Sequence, residues 1–196
     1  FGISNIPKEY EADYIEFLNG MAHLSVREEQ GARIIKKLTN RNAHVMVDPT
    51  MLLSESDWRS ISKKSTEKPK KPYLLTYFLG EISNKTKKII NKIAKNKNLE
   101  LVNLASLQDL KYYSADPSEF IDFIDTAEIF LTDSFHGAVF SILLKTPFIV
   151  FERKGNIASM NSRIETLLTK FNLRSRMADD INFDQIYNLD FSKVDK

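Results

Sequence analysis

Apolar positions along the chain fall into two alternating kinds of block. Continuous apolar runs at 73–79, 99–104, 128–131 and 147–151 have the length and β-branched or aromatic content of buried strands. Between them the period changes to three and four residues. Ile89, Ile90, Ile93 and Ala94 mark a basic amphipathic helix capped by Ser83 or Asn84. Phe120, Ile121, Phe123 and Ile124 mark a helix over 117–127, and the apolar stretch from about 135 to 145 marks a third. The first part of the chain shows the same rhythm. A helix over 7–21 places Tyr10, Tyr14, Phe17, Leu18 and Met21 toward a core, and strand candidates cover 22–26 and 42–47. Between these strands a helix starts near Arg27 or Glu28, with Ile34, Ile35 and Leu38 as its apolar stripe. Strands alternating with helices predict an α/β protein with a doubly wound, Rossmann-like parallel sheet.

The segment 62–72, Ser-Lys-Lys-Ser-Thr-Glu-Lys-Pro-Lys-Lys-Pro, lacks apolar residues and carries two prolines. It reads as a linker with solvated lysines. The expected organisation is therefore a first unit over 1–62, a linker over 63–72 and a second unit over 73–196. Ser54, followed by Asp57, forms a capping box ahead of a short helix that Trp58 anchors. Beyond 151, a helix opened by 159–163 carries Ile164, Leu167, Leu168 and Phe171, and the tail from Arg174 holds a weak helix over 184–187.

The chemistry concentrates at Thr132-Asp133-Ser134-Phe135-His136-Gly137, a polar turn between the 128–131 strand and the helix that follows. In a parallel α/β sheet the turn after a strand's C-terminal end is where ligands sit. Ser134 or Asp133 can cap the helix, its first N–H groups can receive an anion, and Gly137 leaves the backbone open to close approach. Arg27 stands at another strand-to-helix turn, where a helix dipole disfavours a cation. It reads either as a surface ion-pair partner or as a fork held for a carboxylate or phosphate. Asp48, before Pro49, reads as a turn or cap residue. Arg153, Lys154 and Arg163 form a possible basic rim beside the His136 turn.

Composition removes several classes. With 42% hydrophobic and 28% charged residues the chain is globular, and a net charge of +2 gives no polyelectrolyte argument for nucleic acid. No apolar run is long enough for a membrane span, and the absence of cysteine excludes disulfides and thiolate chemistry. His23, His44 and His136 are not at metal-ligand spacing, and neither a phosphate loop nor a dinucleotide glycine fingerprint is present.

The runs TDSFHGAVFS and TPFIVFER, with SVREEQGARIIKKL and VDPTMLL upstream, resemble the polysaccharide pyruvyl transferase family over roughly residues 1–172. The resemblance implies a glycosyltransferase-B-like two-lobe architecture with most of the N-terminal lobe missing from this sequence. The first unit is then the end of one lobe, and the second unit is the donor-binding lobe. It implies transfer of an enolpyruvyl group from phosphoenolpyruvate to a pair of sugar hydroxyls, giving a pyruvate ketal on a cell-surface polysaccharide or its precursor. Phosphoenolpyruvate is the donor substrate, the acceptor is a free or lipid-linked sugar, and no further cofactor and no metal is required. Its expected location is the cytoplasm, free or peripheral to the inner face of the membrane. Arg27 matches the arginine of the family's SxRE motif, which contacts the donor. His136, from the side-chain class that titrates near neutrality, is expected to bind phosphate and shuttle protons. Ser134, Gly137, Arg153, Lys154 and Arg163 complete the expected substrate set. Many relatives carry an arginine where Ser134 stands, so its task is expected to fall to Arg153, Lys154 or Arg163. Two rivals share the pattern: a nucleotide-sugar glycosyltransferase on the same architecture, and a non-catalytic assembly subunit.

Overall fold

A computed structural model of the chain describes residues 5–153 and 161–192. The centre is a parallel four-stranded sheet of β3 (Tyr73–Tyr77), β4 (Glu100–Asn103), β5 (Ile129–Thr132) and β6 (Phe148–Val150), in the spatial order β4-β3-β5-β6. Apart from Tyr77, every residue of β3, β5 and β6 is buried. This accounts for their continuous apolar runs, because helices cover both faces of such a sheet. Register aligns Leu75, Phe130 and Phe148 across three strands, and also Leu131 with Ile149. The pleat then sends the two sets to opposite faces.

On one face, Leu75, Phe130, Phe148 and Val150 pack with Phe123 and Ile124 of α6 (Pro117–Asp125), with Ala138, Val139 and Ile142 of α7 (Phe135–Leu143), and with Leu168 of α8 (Asn161–Lys170). On the other, Leu74, Ile129, Leu131 and Ile149 meet Ile90, Ile93 and Ala94 of α4 (Asn84–Lys97), together with Ile186 of the tail. The tail does more than its weak helical signal suggested. Met177 bridges to Val150 in parallel, and the Ala178 amide donates to the Val150 carbonyl at 2.8 Å, so it covers the β6 edge.

The first part of the chain packs separately. Here α1 (Glu11–Gly20), β1 (Ser25–Val26), α2 (Glu29–Thr39) and β2 (His44–Val45) gather Leu18, Leu24, Val26 and Ile35. The strands shrink to two residues each and pair in parallel. The expected stripe of α1 is only partly used: Leu18 is buried, whereas Tyr10, Phe17 and Met21 are exposed, Phe17 by 65%. Between 62 and 72 the lysines are not all solvated. Lys68 Nζ lies 2.5 Å from Asp122 Oδ2 and donates to Thr126 Oγ1 at 2.9 Å, while the Ser65 amide donates to Asp122, tying the segment onto α6. A proline-rich, apolar-free composition identifies a chain without a core of its own, and says nothing about which acids lie beneath it.

Capping follows the sequence closely. Ser54 and Asp57 make the capping box of α3 (Glu55–Ile61), Asp116 and Glu119 make that of α6, Ser83 caps α4, and Trp58 stacks edge-on against Phe140 of α7. The 106–116 segment contains the one-turn helix α5 (Leu110–Tyr113).

Phe130, fully buried between α6 and α7, carries the register of the sheet. Truncating it (Phe130→Ala) is expected to cost about 3–5 kcal/mol in urea unfolding, as a large cavity in a core that cannot collapse.

Candidate functional site

The turn after β5 is built by side chains that lock its backbone. Thr132 Oγ1 donates to the Tyr77 carbonyl at 2.6 Å and accepts from the Ser134 amide at 3.0 Å. Asp133 is buried and does not cap the helix. Its Oδ1 accepts from the Leu79 amide at 2.7 Å and its Oδ2 from the Gly80 amide at 2.9 Å, tying the loop after β3 to the loop after β5. Ser134 supplies the cap, with Oγ accepting from the Gly137 amide at 3.3 Å, so this buried hydroxyl is already engaged within the turn. Gly137 is a glycine for a different reason from the one expected. A Cβ there would meet Thr132 Oγ1 at 2.9 Å and Phe130 Cε1 at 3.1 Å. The close approach it permits is that of α7 to β5.

These constraints project Phe135 and His136 from the first turn of α7 toward residues brought from the first part of the chain. Arg27 pairs with Asp48 Oδ2, and His136 Nε2 lies 3.9 Å from the same oxygen, too long for a hydrogen bond. Arg27 and His136, more than a hundred residues apart, are thus joined through one carboxylate. Asp48 is 3% exposed at its side chain and His136 55%. Asp48 also does what its sequence suggested, since its Oδ1 accepts from the Thr50 amide at 3.0 Å and the Thr50 hydroxyl at 2.6 Å. Burial pushes the Asp48 carboxyl upward; the Thr50 hydroxyl and amide and the Arg27 guanidinium outweigh it and hold the group below its ordinary value.

Arg163, from α8, completes the cluster. Its guanidinium lies 5.0 Å from the centroid of the Phe135 ring, with that of Arg27 6.0 Å from the same ring, so one aromatic platform carries two cations. Arg163 is 6% exposed, and its guanidinium is held below its ordinary value by burial first and by Arg27 next. Arg153 is partly buried, donates from Nη2 to the Asp133 carbonyl at 3.2 Å and places Nε 3.6 Å from Asp133 Oδ2. Neither arginine is the ordinary surface charge that an isolated basic residue usually is. Lys154 lies outside the described residues. His23 and His44 are exposed and stand apart from the cluster.

Two contributors had little or no sequence signal. Phe135 reads as another apolar helix residue, and its platform role depends on what reaches it from α2 and α8. Glu28 looks like an ordinary first-turn acid, yet it is 1% exposed and accepts a 2.5 Å hydrogen bond from Ser162 Oγ, the neighbour of Arg163. Its Oε1 has no hydrogen-bond partner among the described residues. A buried carboxylate beside two arginines offsets part of their repulsion. On the other side of Asp133 lies a cavity of about 180 Å³, at the ends of β3, β5 and β6. Phe78, Phe151, Ser83, Thr86, Glu81 and Glu152 are among its lining residues.

The arrangement defines an α/β protein with an arginine-rich site, its guanidiniums set against buried carboxylates, at the C-terminal edge of a parallel sheet. The sequence matches the polysaccharide pyruvyl transferase family over residues 1–155, and the chain belongs to that family. No curated protein and no solved structure matches it. Membership makes it a transferase of polysaccharide biosynthesis. Among the described residues no helix is long and apolar enough to cross a membrane.

Two substitutions probe this geometry. In Gly137→Ala the added methyl has no cheap escape, because Thr132 Oγ1 is held by two hydrogen bonds; a loss of about 1–3 kcal/mol in thermal or urea unfolding is expected. The depressed Asp48 carboxyl stabilises the fold above its unfolded value near about 4, and this contribution disappears as pH falls through the lower folded value. The stability gap between the parent and Asp48→Asn should therefore be full at neutral pH and shrink in acid. A gap constant across that range would assign the effect to packing.

Proposed function

We propose that the site binds phosphoenolpyruvate and transfers its enolpyruvyl group to two hydroxyls of a sugar, forming a pyruvate ketal. The observation that carries this reading is the convergence of Arg27, Arg163 and His136 around Phe135 and Asp48. A carboxylate and a phosphate on one small molecule need two cationic partners, and guanidinium forks match both groups. Ser134 is spent on the helix cap, and Arg163, over the Phe135 ring, takes the anion-binding task. Arg153 braces the turn through Asp133.

In the reaction a sugar hydroxyl loses its proton as its oxygen adds to the enol carbon, and the methylene gains a proton to become methyl. The second hydroxyl then displaces phosphate and closes the ketal. The carbon under attack passes through an oxocarbenium-like state. His136 is the exposed group positioned to move protons, with the Asp48 carboxylate 3.9 Å from its Nε2. The acidic, aromatic-lined cavity beyond Asp133 suits the acceptor: carboxylates accept from sugar hydroxyls, phenyl faces cover the ring, and the negative charge discourages the anionic donor. We further read residues 1–62 as part of a first lobe and 73–196 as the donor lobe of a glycosyltransferase-B-like architecture. The separate core around Leu18, Val26 and Ile35 supports that division.

Calorimetric titration with phosphoenolpyruvate should show binding by the parent protein and clear weakening in Arg163→Ala and Arg27→Ala. Phosphate release in the presence of acceptor should fall about 10²–10⁴-fold in His136→Ala, the contribution of a positioned proton-transfer group. Near-normal turnover by that variant would remove His136 from the mechanism. Binding of a nucleotide sugar in place of phosphoenolpyruvate would favour the glycosyltransferase reading.

A further inference from the structure

Helix α4 presents a charge pattern of which only Lys85 touches the cavity beyond Asp133. Its 14 residues contain six lysines and no acid, in a chain whose net charge is only +2, so the rest of the chain is net acidic. Ile90, Ile93 and Ala94 face the sheet. Lys85, Lys88, Lys92 and Lys95 recur at intervals of three and four residues, forming one exposed stripe on the side away from it. Lys97 is set apart, with its Nζ 4.9 Å from the centroid of the Tyr187 ring. Among the described residues, Asp179 lies 4.0 Å from Lys85 in a pair exposed on both sides.

We propose that this face docks the protein on an anionic phospholipid surface. The stripe lies along a straight helix roughly 21 Å long, which can meet a planar array of headgroups with all four charges at once. Lysine heads are compact point charges that need no fixed partner geometry, as a fluid surface requires. A single-stranded nucleic acid instead calls for exposed aromatics on which bases stack, and the stripe has none. The net acidic remainder of the chain favours contact through this face. The attraction is electrostatic and weakens with salt. The same helix begins at the cavity beyond Asp133, so docking would hold that edge of the sheet close to the surface.

Flotation with phosphatidylcholine vesicles, with and without phosphatidylserine, tests this independently of pyruvyl transfer. The protein should float only with the anionic vesicles and should be released by salt. Lys88→Gln/Lys92→Gln should lower the partition about 25-fold, at about fivefold per lysine near such a surface. Lys8→Gln/Lys37→Gln, exposed lysines outside α4, should leave it unchanged. All four positions are exposed, so thermal midpoints should hold. Failure of the parent protein to float, equal partition onto neutral vesicles, an equal loss in the control variant, or retention by an anionic polysaccharide without vesicle binding would overturn the proposal.

Discussion

Asp48 carries more of this molecule than its position in a short turn suggests. Three arginines and a histidine gather at one end of the sheet, two of the arginines over a single phenyl ring, and like charges at that spacing repel strongly once water is removed. A buried carboxylate that accepts two bonds from Thr50 is fixed before any cation arrives. Arg27 can then be held in place, and His136 faces a defined negative charge. Glu28 and Asp133 do comparable service beside Arg163 and Arg153. The site is a balance of buried charges, with Arg27, Arg153 and Arg163 set against Asp48, Asp133 and Glu28.

The sheet supplies the rigidity. Register places the ends of β3, β5 and β6 side by side, and Asp133 uses its carboxylate to join the first two loops and its carbonyl to engage Arg153 beyond the third strand. The order β4-β3-β5-β6 puts the reversal of strand order between β3 and β5, where an open α/β sheet leaves a crevice. Gly137 and Thr132 draw α7 tightly against β5, and that packing aims Phe135 and His136 outward. Small residues at the turn thus act through helix–strand distance.

Part of the contact between the first part of the chain and the sheet unit passes through α2 and α8. Glu28 accepts from Ser162, and the Glu29 amide lies 3.4 Å from Thr166 Oγ1. Each bond involves a residue next to, or one turn from, a site arginine, so the contact that joins the units also sets the distance between Arg27 and Arg163.

Periodicity in the chain determined most of the α/β framework. Buried parallel strands must be continuously apolar, helices against them must repeat at three and four residues, and Ser54, Ser83 and Asp116 mark helix starts through their own hydrogen-bonding chemistry. The residues Arg27, Ser134, His136, Arg153 and Arg163 were visible as candidates for the same reason, because a polar group at a strand-to-helix turn stands out. Their assembly was not legible. The exposed α1 stripe, the Lys68–Asp122 tie, the burial of Glu28 and the joining of Arg27 to His136 through Asp48 all depend on what lies across space. Local patterns record a residue's own face and cap; the sign and distance of a remote charge enter only when the chain has folded.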